Sequence, residues 1–485
     1  GQLVHVTATV DATLCGVELP MNMLRIRPLP AAILRERIAS AVRLYSGDDK
    51  DGEPVYVRPP AWLVKAIHER GQYPRAIRPL TAIVRCPTLR PDGTVLQRRG
   101  YDDRTGLLYV PDGDYPPVPD QPTRDDATHA AAELLEVVTD FPFKGAEHRS
   151  VWLAMVLTMV GRSAIRGPCP MFVIDANCPG TGKSLLTDIA GVIAYGDRLP
   201  RKPWPGDDDA EIRKVITSVA LEGLSSVLWD NVGDTLGSSS LDAALTGTAW
   251  TDRLLGSNTT TGTLPLLTVW SATGNNLVLA KDTPRRVLYS RLETDLDQPE
   301  ERRDFQHDNL VGWVRQHRHR LATHAVTILR AFAHAGFPNE ELPTWGSFEA
   351  WSDLIRNAIT WSGLPDPWET RSIVRQADHD MELLGLVHAG IDEANQAGDG
   401  VTSAEIVQLV GTPLEAGHDD RFPHLRAAIT EICGTRIDGR KVGNQLRHFV
   451  GRVKAGRRLS RRTAHGGSNR WFIERVPSGG CGGTW

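Results

Sequence analysis

Short runs of β-branched and apolar residues alternate with turn-forming residues over the first quarter of the chain. The runs span residues 3–10, 81–84 and 107–110, and turn sequences such as Pro91-Asp92-Gly93 separate them. One longer segment, residues 30–45, has apolar side chains at helical spacing. Short strands mixed with a helix predict a small α+β domain over residues 1–114.

A proline-rich segment, residues 115–124, follows this domain. Its prolines are Pro116, Pro117, Pro119 and Pro122. Proline fixes φ and has no amide hydrogen, so the segment cannot form a helix or a central strand. We predict that it is a linker.

Helical and strand patterns alternate between residues 125 and 298. Helical spacing covers residues 130–138 and 184–194, and apolar strand-like runs cover 171–175, 226–229, 266–272 and 287–292. This alternation predicts an α/β domain with a parallel sheet flanked by helices. Residues 299–397 are predicted to be helical, from apolar side chains three or four positions apart: Leu321, Ala325, Ile328, Leu329 and Phe332.

Composition narrows the class of protein only slightly. The 485 residues carry a formal charge of −4, so the whole chain is not a basic coat for nucleic acid, and polyanion binding would require a local patch. The six cysteines include no C-x-x-C pair, which disfavours a disulfide framework and a Cys-rich zinc site. The longest apolar run, residues 151–160, is about half of what spans a bilayer. We therefore expect a cytoplasmic protein with no membrane partner.

The most informative motif is Asn177-Cys-Pro-Gly-Thr-Gly-Lys-Ser184, which follows the apolar run 171–175 and precedes a helical pattern. Glycines at 180 and 182 allow backbone amides to face phosphate oxygens, Lys183 can reach the β- and γ-phosphates, and the Ser184 hydroxyl can bind Mg²⁺. We predict that residues Asn177–Leu185 bind ATP: Asn177, Cys178, Pro179, Gly180, Thr181, Gly182, Lys183, Ser184 and Leu185. Asn177 takes the place of the first glycine; asparagine tolerates a left-handed backbone, so the loop can still close.

A carboxylate on a neighbouring strand is needed to complete the magnesium site. The apolar run that ends at Asp230 supplies one, and we predict that Ser184 and Asp230 are the metal ligands. The next residue in additional-strand ATPases is usually a glutamate that polarises the attacking water, but here it is Asn231. The base could then be Asp234, or Asp230 in a shifted register, and the sequence leaves both open.

Two later segments have the chemistry of a catalytic centre for phosphoryl transfer. The apolar run from Leu266 ends at Asn275 and Asn276, and either amide could contact a γ-phosphate without adding negative charge. An arginine that could act on the nucleotide of a neighbouring subunit follows ten residues after these asparagines, in the segment Asp282-Thr-Pro-Arg285-Arg286. Arg285 and Arg286 are both candidates.

The order of the motifs NCPGTGKS, VLWDN, WSATGNN and DTPRR resembles the AAA+ replication helicases of phages, prophages and integrative elements. These are related to superfamily 3 and MCM-like helicases and often form the C-terminal half of primase–helicase proteins. The resemblance continues through residues 348–351 and 363–367, and so covers about residues 130–367. It implies a homo-hexameric ring that uses ATP and Mg²⁺ to move 3′→5′ on single-stranded DNA, with a primase as a further partner.

In such helicases a hairpin in the ring channel grips the DNA backbone. The turn-forming cluster at residues 258–262 predicts a hairpin tip here, with Arg253, Asn258, Thr259 and Thr260 as candidate DNA contacts. A plain surface hairpin is an equal alternative, and Arg253 could also act across the subunit interface.

The end of the chain is strongly basic. Residues 436–475 contain twelve cations and two acids. Helical patterns at 403–410, 421–432 and 439–453, a glycine-rich loop at 465–468 and a strand pattern at 470–475 follow the order of a winged helix-turn-helix. We predict that its third helix and its wing bind duplex DNA through Arg440, Lys441, Gln445, Arg452, Arg461, Arg462 and Arg470.

The predicted organisation has six parts along the chain. They are an N-terminal domain (1–114), a linker (115–124), an AAA+ P-loop core (125–298), a helical region (299–397), a winged helix (398–476) and a flexible tail (477–485). The N-terminal domain has no catalytic constellation, and its Tyr56, Trp62, Tyr73 and Tyr101 are expected in the core or in turns. By analogy it could be a collar that positions DNA, or the remnant of a primase.

Together these features predict an ATP-dependent DNA helicase or translocase for replication of a mobile genetic element. Two alternatives belong to other classes. One is a signalling or defence AAA+ switch ATPase that does not unwind DNA, which Asn231 in place of glutamate would suit. The other is an origin-binding initiator or loader that uses ATP only to assemble.

Overall fold

The computed structural model describes residues 1–8, 24–74, 77–233, 235–253, 260–296, 299–302, 304–396, 398–411, 420–434, 437–454, 456–463 and 469–475. The predicted tail and the glycine-rich loop at 465–468 lie outside these residues. The chain forms two compact units, Gly1–Arg371 and Ser372–Trp485. No helix in the described part of the chain is both long and apolar enough to cross a membrane.

The first unit begins with short strands and helices that alternate along the chain. They are β1 (Val4–Ala8), β2 (Leu24–Pro28), α1 (Ala31–Ala41), β3 (Leu44–Asp48), β4 (Pro54–Val57), α2 (Ala61–His68), β5 (Ala82–Val84), β6 (Thr88–Leu89), β7 (Val95–Leu96), β8 (Gly100–Asp102) and β9 (Leu107–Tyr109). β1–β2, β3–β4 and β6–β7 are antiparallel pairs, and β5, β9 and β8 form a three-stranded sheet in that order.

Two expectations for this region were wrong. The helix predicted over 30–45 ends at Ala41, because Val42 has an extended backbone and Leu44 already pairs with Val57 in the β3–β4 hairpin. Tyr56 and Trp62 are neither core nor turn residues: they lie in β4 and α2 and are 51% and 71% exposed. The hydrophobic pattern could not reveal this, because a strand or helix with few buried neighbours uses the same residue types.

The α/β core is built on a five-stranded parallel sheet. Its elements are α3 (Arg124–Glu136), α4 (Ala146–Gly161), β10 (Met171–Ala176), α5 (Lys183–Tyr195), β11 (Arg201–Lys202), α6 (Asp209–Glu222), β12 (Ser226–Val232), β13 (Thr235–Leu236), α7 (Ser239–Thr246), β14 (Ala249–Trp250), β15 (Leu264–Pro265), β16 (Val269–Asn275), β17 (Val278–Leu279) and β18 (Val287–Leu292). The sheet order is β11-β12-β16-β10-β18, and every neighbouring pair is parallel. The predicted α/β architecture with a parallel sheet is confirmed.

Burial on all sides explains why the sequences of β10 and α4 are almost continuously apolar. All six residues of β10 are buried, and α4 is buried from Ser150 to Gly161 because it is covered by the sheet and by other helices. The strand predicted at 266–272 runs instead over Val269–Asn275, since residues 264–265 pair with β14. This shift of three residues places Asn275 on the strand itself.

The helical part of the first unit covers the core. It consists of α8 (Leu310–His334), α9 (Glu349–Trp351), a π-helical turn (Ser352–Arg356), α10 (Asn357–Trp361) and the start of α11 (Arg371–Ala394), with 3₁₀ turns at Arg162–Ala164, Thr283–Arg286, Pro299–Glu301 and Pro367–Thr370. The apolar positions predicted along α8, from Leu321 to Phe332, are fully buried. The helical spacing was therefore interpreted correctly.

The proline-rich segment 115–124 is packed against α8. Val118 is buried, and its amide donates to the Gln97 side chain at 3.0 Å. Arg330 of α8 donates to the Asp120 carbonyl, and Thr323 donates to the Pro116 carbonyl at 3.2 Å. The segment connects two parts of one compact unit.

The second unit contains three short helices and a four-stranded antiparallel sheet. Besides most of α11 it consists of β19 (Val401–Thr402), α12 (Ser403–Gly411), α13 (Pro423–Cys433), α14 (Gly439–Arg447), β20 (Val453–Lys454), β21 (Arg457–Thr463) and β22 (Asn469–Arg475). The sheet order is β19-β22-β21-β20. Leu384, Val387 and Ile391 of α11 belong to the core of this unit, so its packing begins before residue 398.

The helix predicted over 439–453 is shorter than expected and ends at Arg447. The chain turns there to join the sheet: Val450 bridges Leu459, and Gly451, with φ of +81°, donates its amide to the Leu459 carbonyl at 2.9 Å. Phe449 is buried in the core but lies beyond the helix.

Candidate functional site

The loop between β10 and α5 has the backbone of a phosphate-binding loop. Gly180 and Gly182 have φ of +78° and +89°, which only glycine adopts without strain. A Cβ atom at Gly182 would also lie 2.7 Å from the Phe141 ring. Both conformation and space therefore require glycine at 182, and α5 begins at the next residue, Lys183.

Asn177 closes the loop in a different way from the one predicted. It is not among the described residues with positive φ. Its side-chain amide donates to the Thr294 carbonyl at 2.7 Å, and its side-chain oxygen accepts from the Thr294 amide at 3.3 Å. The side chain that replaces the first glycine thus ties the start of the loop to the chain just beyond β18.

Lys183 points to the end of the neighbouring strand β16. Its ammonium group donates to the Asn275 side chain at 2.6 Å, to Thr181 Oγ1 at 3.3 Å and to the Cys178 carbonyl at 3.4 Å. Only 9% of Lys183 is exposed, and burial lowers its pKa against the opposing effect of the Asp175 carboxylate. A cation held in this way by neutral oxygens is suited to binding an anion.

The two asparagines at the end of β16 have different positions. Asn275 contacts Lys183, whereas Asn276, with φ of +50°, faces the other side of the loop. The side-chain amide of Asn276 donates to the Asn177 carbonyl at 3.1 Å, and its side-chain oxygen accepts from Arg291 at 2.7 Å. Of the two candidates, Asn275 is therefore the one placed beside the lysine, and Asn276 holds the loop.

Ser184 and Asp230 meet across the sheet edge. The Ser184 hydroxyl donates to Asp230 Oδ1 at 2.8 Å, and the Thr273 hydroxyl donates to the same oxygen at 2.7 Å. Oxygen ligands of this kind suit Mg²⁺, which is usually held by one or two protein groups together with phosphates and water. The described residues contain no cluster of three or more His, Cys, Asp or Glu side chains arranged for a metal, so a metal at Ser184 and Asp230 would depend on the nucleotide for further ligands.

Sequence reasoning missed Arg201, which contacts the second oxygen of Asp230. Arg201 Nε lies 2.9 Å from Asp230 Oδ2, and its Nη2 lies 2.9 Å from both oxygens of Asp188. Asp188 is one turn after Ser184 on α5 and is 4% exposed; burial raises its pKa, and Arg201 opposes this. Arg201 therefore fixes the Asp230 carboxylate with Oδ1 towards Ser184. Arg201 is the first residue of β11, which pairs with β12, and a strand of two residues leaves no signal in the apolar pattern.

A second group that the sequence did not reveal lies under the loop. Asp175, fully buried at the end of β10, accepts from Arg291 and Tyr289 of β18 and from the Leu277 amide. Burial raises the pKa of Asp175, although these donors act to lower it. Because Arg291 also binds Asn276, this buried cluster connects β10, β16 and β18 beneath the candidate site.

The three candidates for the group that activates water differ in their surroundings. Asn231 has φ of +52°, its amide donates to Thr273 Oγ1 at 3.0 Å, and the residue is exposed. Asp234 lies outside the described residues. Asp230 is held by Ser184, Thr273 and Arg201, so both of its carboxylate oxygens already have partners within the protein.

The two candidate arginines of the 3₁₀ turn Thr283–Arg286 differ sharply in exposure. The Arg286 side chain is 13% exposed and pairs with Asp242 at 3.3 Å and with Asp282 at 2.8 Å. The Arg285 side chain is 62% exposed and pairs with Asp282, whose carboxylate is also exposed. Arg286 stabilises the turn, and Arg285 is the arginine available to another molecule.

The predicted hairpin is described only at its base. Arg253 and Thr260 form an isolated antiparallel bridge, and both are exposed. Asn258 and Thr259, which were predicted at the tip, lie outside the described residues.

The predicted DNA contacts in the second unit fall into two groups. Several cations are held by the protein itself: Lys441 donates to the Cys433 carbonyl, Arg462 to the Asp399 carbonyl and Arg470 to the Gly400 carbonyl, each at 2.6 Å. Arg452 lies over the Phe449 ring, 5.6 Å from its centroid, and Gln445 is half-buried. These contacts restrict the side chains but leave their charges at the surface of the unit.

The exposed cations of α14 line a groove. Arg440, Asn444 and Arg447 follow one another at helical spacing, and with Asn469 of β22 they border a cavity of about 660 Å³. Arg461 is exposed on β21. Asn444 and Arg447 were not among the predicted contacts, although the 440/444/447 spacing that places them on one helix face was present in the sequence.

Removing Arg201 should destabilise the core. Arg201→Ala would leave the buried Asp188 carboxylate without the Nη2 group that donates to both of its oxygens. Breaking a fully buried pair costs about 3–5 kcal/mol; since the Arg201 side chain is 37% exposed and water screens the pair, we expect a loss of about 1–2 kcal/mol in the free energy of unfolding. Urea denaturation measures this. Arg198→Ala is the control, because Arg198 contacts Asp188 at 3.6 Å and is 52% exposed. Equal losses in the two variants would contradict the assignment.

No protein-family model matches the chain, and no curated protein matches its sequence. Among solved structures it is similar to the C-terminal region of NrS-1 in its apo form (10% identity, 92% of this chain and 99% of that chain, TM-score 0.35). It is also similar to SCCmec type IV Cch, described as an active helicase (13%, 97% and 93%, TM-score 0.32), and to the JCV helicase (10%, 50% and 67%, TM-score 0.21). At these TM-scores the likeness does not establish a function for this chain.

Proposed function

We propose that this protein is an ATP-dependent DNA helicase or translocase with an AAA+ core at residues 125–298. One observation carries the proposal. At a single edge of the parallel sheet, Lys183 meets Asn275 and Ser184 meets Asp230, at 2.6 Å and 2.8 Å. A lysine, a neutral amide, a hydroxyl and a carboxylate around a glycine loop are the groups that phosphoryl transfer needs.

Each side chain has a distinct role in the proposed reaction. Lys183 and the amides of the loop bind the β- and γ-phosphates, and Asn275, already beside Lys183, contacts the γ-phosphate or the attacking water. Ser184 and Asp230 would hold Mg²⁺, which when bound neutralises the phosphate charge that develops during transfer. Arg201 keeps Asp230 in the orientation for that role.

The position of Arg285 supports action between subunits. β10 and β18 are parallel, and Met171 pairs with Val287 while Ala176 pairs with Leu292. Arg285 precedes β18, and the phosphate loop follows β10, so they lie at opposite ends of neighbouring strands. Six residues of strand span about 20 Å, which is too far for an arginine side chain to reach its own nucleotide. We therefore propose that Arg285 acts on the ATP of an adjacent copy in a ring, which we take to be a hexamer.

The second unit supplies the proposed contact with duplex DNA. α12, α13 and α14 followed by the β21–β22 hairpin have the order of a winged helix-turn-helix, and α14 presents Arg440 and Arg447 on one exposed face. Single-stranded DNA would occupy the ring channel, near Arg253 and Thr260. The 3′→5′ direction and the role in replicating a mobile element rest on the motif resemblance.

Strand displacement tests the proposal. Purified protein with ATP and Mg²⁺ is expected to unwind a fork or a duplex with a 3′ tail, and not a duplex with only a 5′ tail. Arg440→Ala/Arg447→Ala should weaken duplex binding and make it less dependent on salt.

The outcome also separates the alternatives. ATP hydrolysis that DNA does not stimulate, without unwinding, would indicate a switch ATPase. Tight, ATP-dependent binding to one duplex sequence without strand separation would indicate an initiator. Either result contradicts the helicase proposal.

A further inference from the structure

The backbone of the exposed arginine is held by an unusual arrangement of aromatic rings and cations. Two side chains donate hydrogen bonds to the Arg285 carbonyl: the Trp345 indole at 2.9 Å and the Arg371 guanidinium at 3.2 Å. Trp345 is 4% exposed, so the first bond is protected from water. The side chain of Arg285 itself extends to the surface.

The two donors are fixed by further contacts. The Arg371 guanidinium lies over the rings of Trp345 and Trp368, 4.8 Å and 5.3 Å from their centroids. Arg356, which is fully buried and paired with Asp366, also lies over Trp368, at 5.0 Å. A continuous stack therefore runs from a buried ion pair to the carbonyl of an exposed arginine.

We propose that Trp345 and Arg371 are positioning residues for Arg285. This inference rests on the proposed function, in which Arg285 acts on the nucleotide of the adjacent subunit. An arginine on an exposed 3₁₀ turn would otherwise sample many backbone positions, and a displacement of about 1 Å can cost as much as 10²-fold in rate. Two donors on one carbonyl hold the backbone of the turn, while the exposed guanidinium, paired with Asp282 at the surface, can exchange that partner for a group across an interface.

The test uses one chemical change at two places. Trp345→Phe keeps a buried ring but removes the hydrogen bond to Arg285. Trp351→Phe is the matched control: Trp351 lies in the same aromatic cluster, 5.7 Å from Trp345, and its indole donates to Thr158 at 2.8 Å. In the full-length protein with DNA, we expect Trp345→Phe to lower the kcat of ATP hydrolysis about 10-fold relative to Trp351→Phe, with KM for ATP changed less than twofold. Arg371→Lys, which keeps the charge and loses the planar stack, should act like Trp345→Phe.

A double variant distinguishes positioning from general stability. In an Arg285→Ala background, Trp345→Phe should cause no further loss of kcat, because there is no side chain left to position. Equal kcat for Trp345→Phe and Trp351→Phe, or additive losses in the double variant, would overturn the inference. If Arg285→Ala alone leaves kcat unchanged, the proposed role of Arg285 between subunits fails instead.

Discussion

Lys183→Ala is expected to lower the turnover of ATP by about 10³-fold, the effect of removing one preorganised group that stabilises transition-state charge. Lys183 is the only cation that the described structure brings into direct contact with Asn275, and it is nearly buried. The groups that its ammonium contacts are the neutral oxygens of Asn275, Thr181 and Cys178, so no second cation there can take its place. Steady-state hydrolysis with saturating ATP measures the effect.

The control for this experiment is Lys214→Ala. Lys214 is an exposed lysine of α6 that pairs with Glu211 one turn away, and its loss should leave hydrolysis unchanged. Unwinding should disappear in Lys183→Ala while duplex binding persists, since the basic groove belongs to the second unit. Turnover within tenfold of the wild type in Lys183→Ala would rule out the loop as the catalytic phosphate site.

Arg285→Ala is expected to lower kcat by about 10³-fold, the lower end of the range measured for arginines that act in trans. ATP binding should be little affected, because each subunit's own loop supplies the phosphate contacts. Arg286→Ala should behave differently: its partners Asp242 and Asp282 would lose a buried cation, so the variant should unfold more easily. Paired measurements of kcat and thermal stability separate the two roles.

A mixture of the Lys183→Ala and Arg285→Ala variants tests directly whether Arg285 acts on the nucleotide of an adjacent subunit. Subunits with Lys183→Ala still present Arg285, and subunits with Arg285→Ala still have an intact phosphate loop. If the catalytic site is shared, a mixture should recover hydrolysis at those interfaces that combine both intact halves. A mixture that assembles but shows no more activity than its components would refute the shared site.

The parts of the site that are local in sequence were predictable. The glycine loop is recognisable because the strand, turn and helix that it needs are consecutive, and Asp230 because it ends an apolar run. Arg201 was not, because its importance comes from two carboxylates that only the fold brings near it. The choice between Asn275 and Asn276 also required the structure: they are adjacent in sequence, and the backbone of Asn276 turns its side chain away.

In the fold, too, the features set by local sequence were predictable, and those set by tertiary contacts were not. The parallel sheet and α8 follow from the apolar spacing, since every element must bury one face. The packing of residues 115–124 against α8 does not, because proline content reports the conformation of a segment and not what covers it. The end of α14 at Arg447 is likewise set by pairing with β21, through the bridge between Val450 and Leu459, which are nine residues apart in sequence.

The Arg201 contact has a consequence for how the site is filled. Because the Arg201 guanidinium already partly neutralises Asp230, the proposed site would attract free magnesium only weakly, and the phosphates would have to bring most of the negative charge that the ion requires. Ion and nucleotide should then enter and leave as one complex.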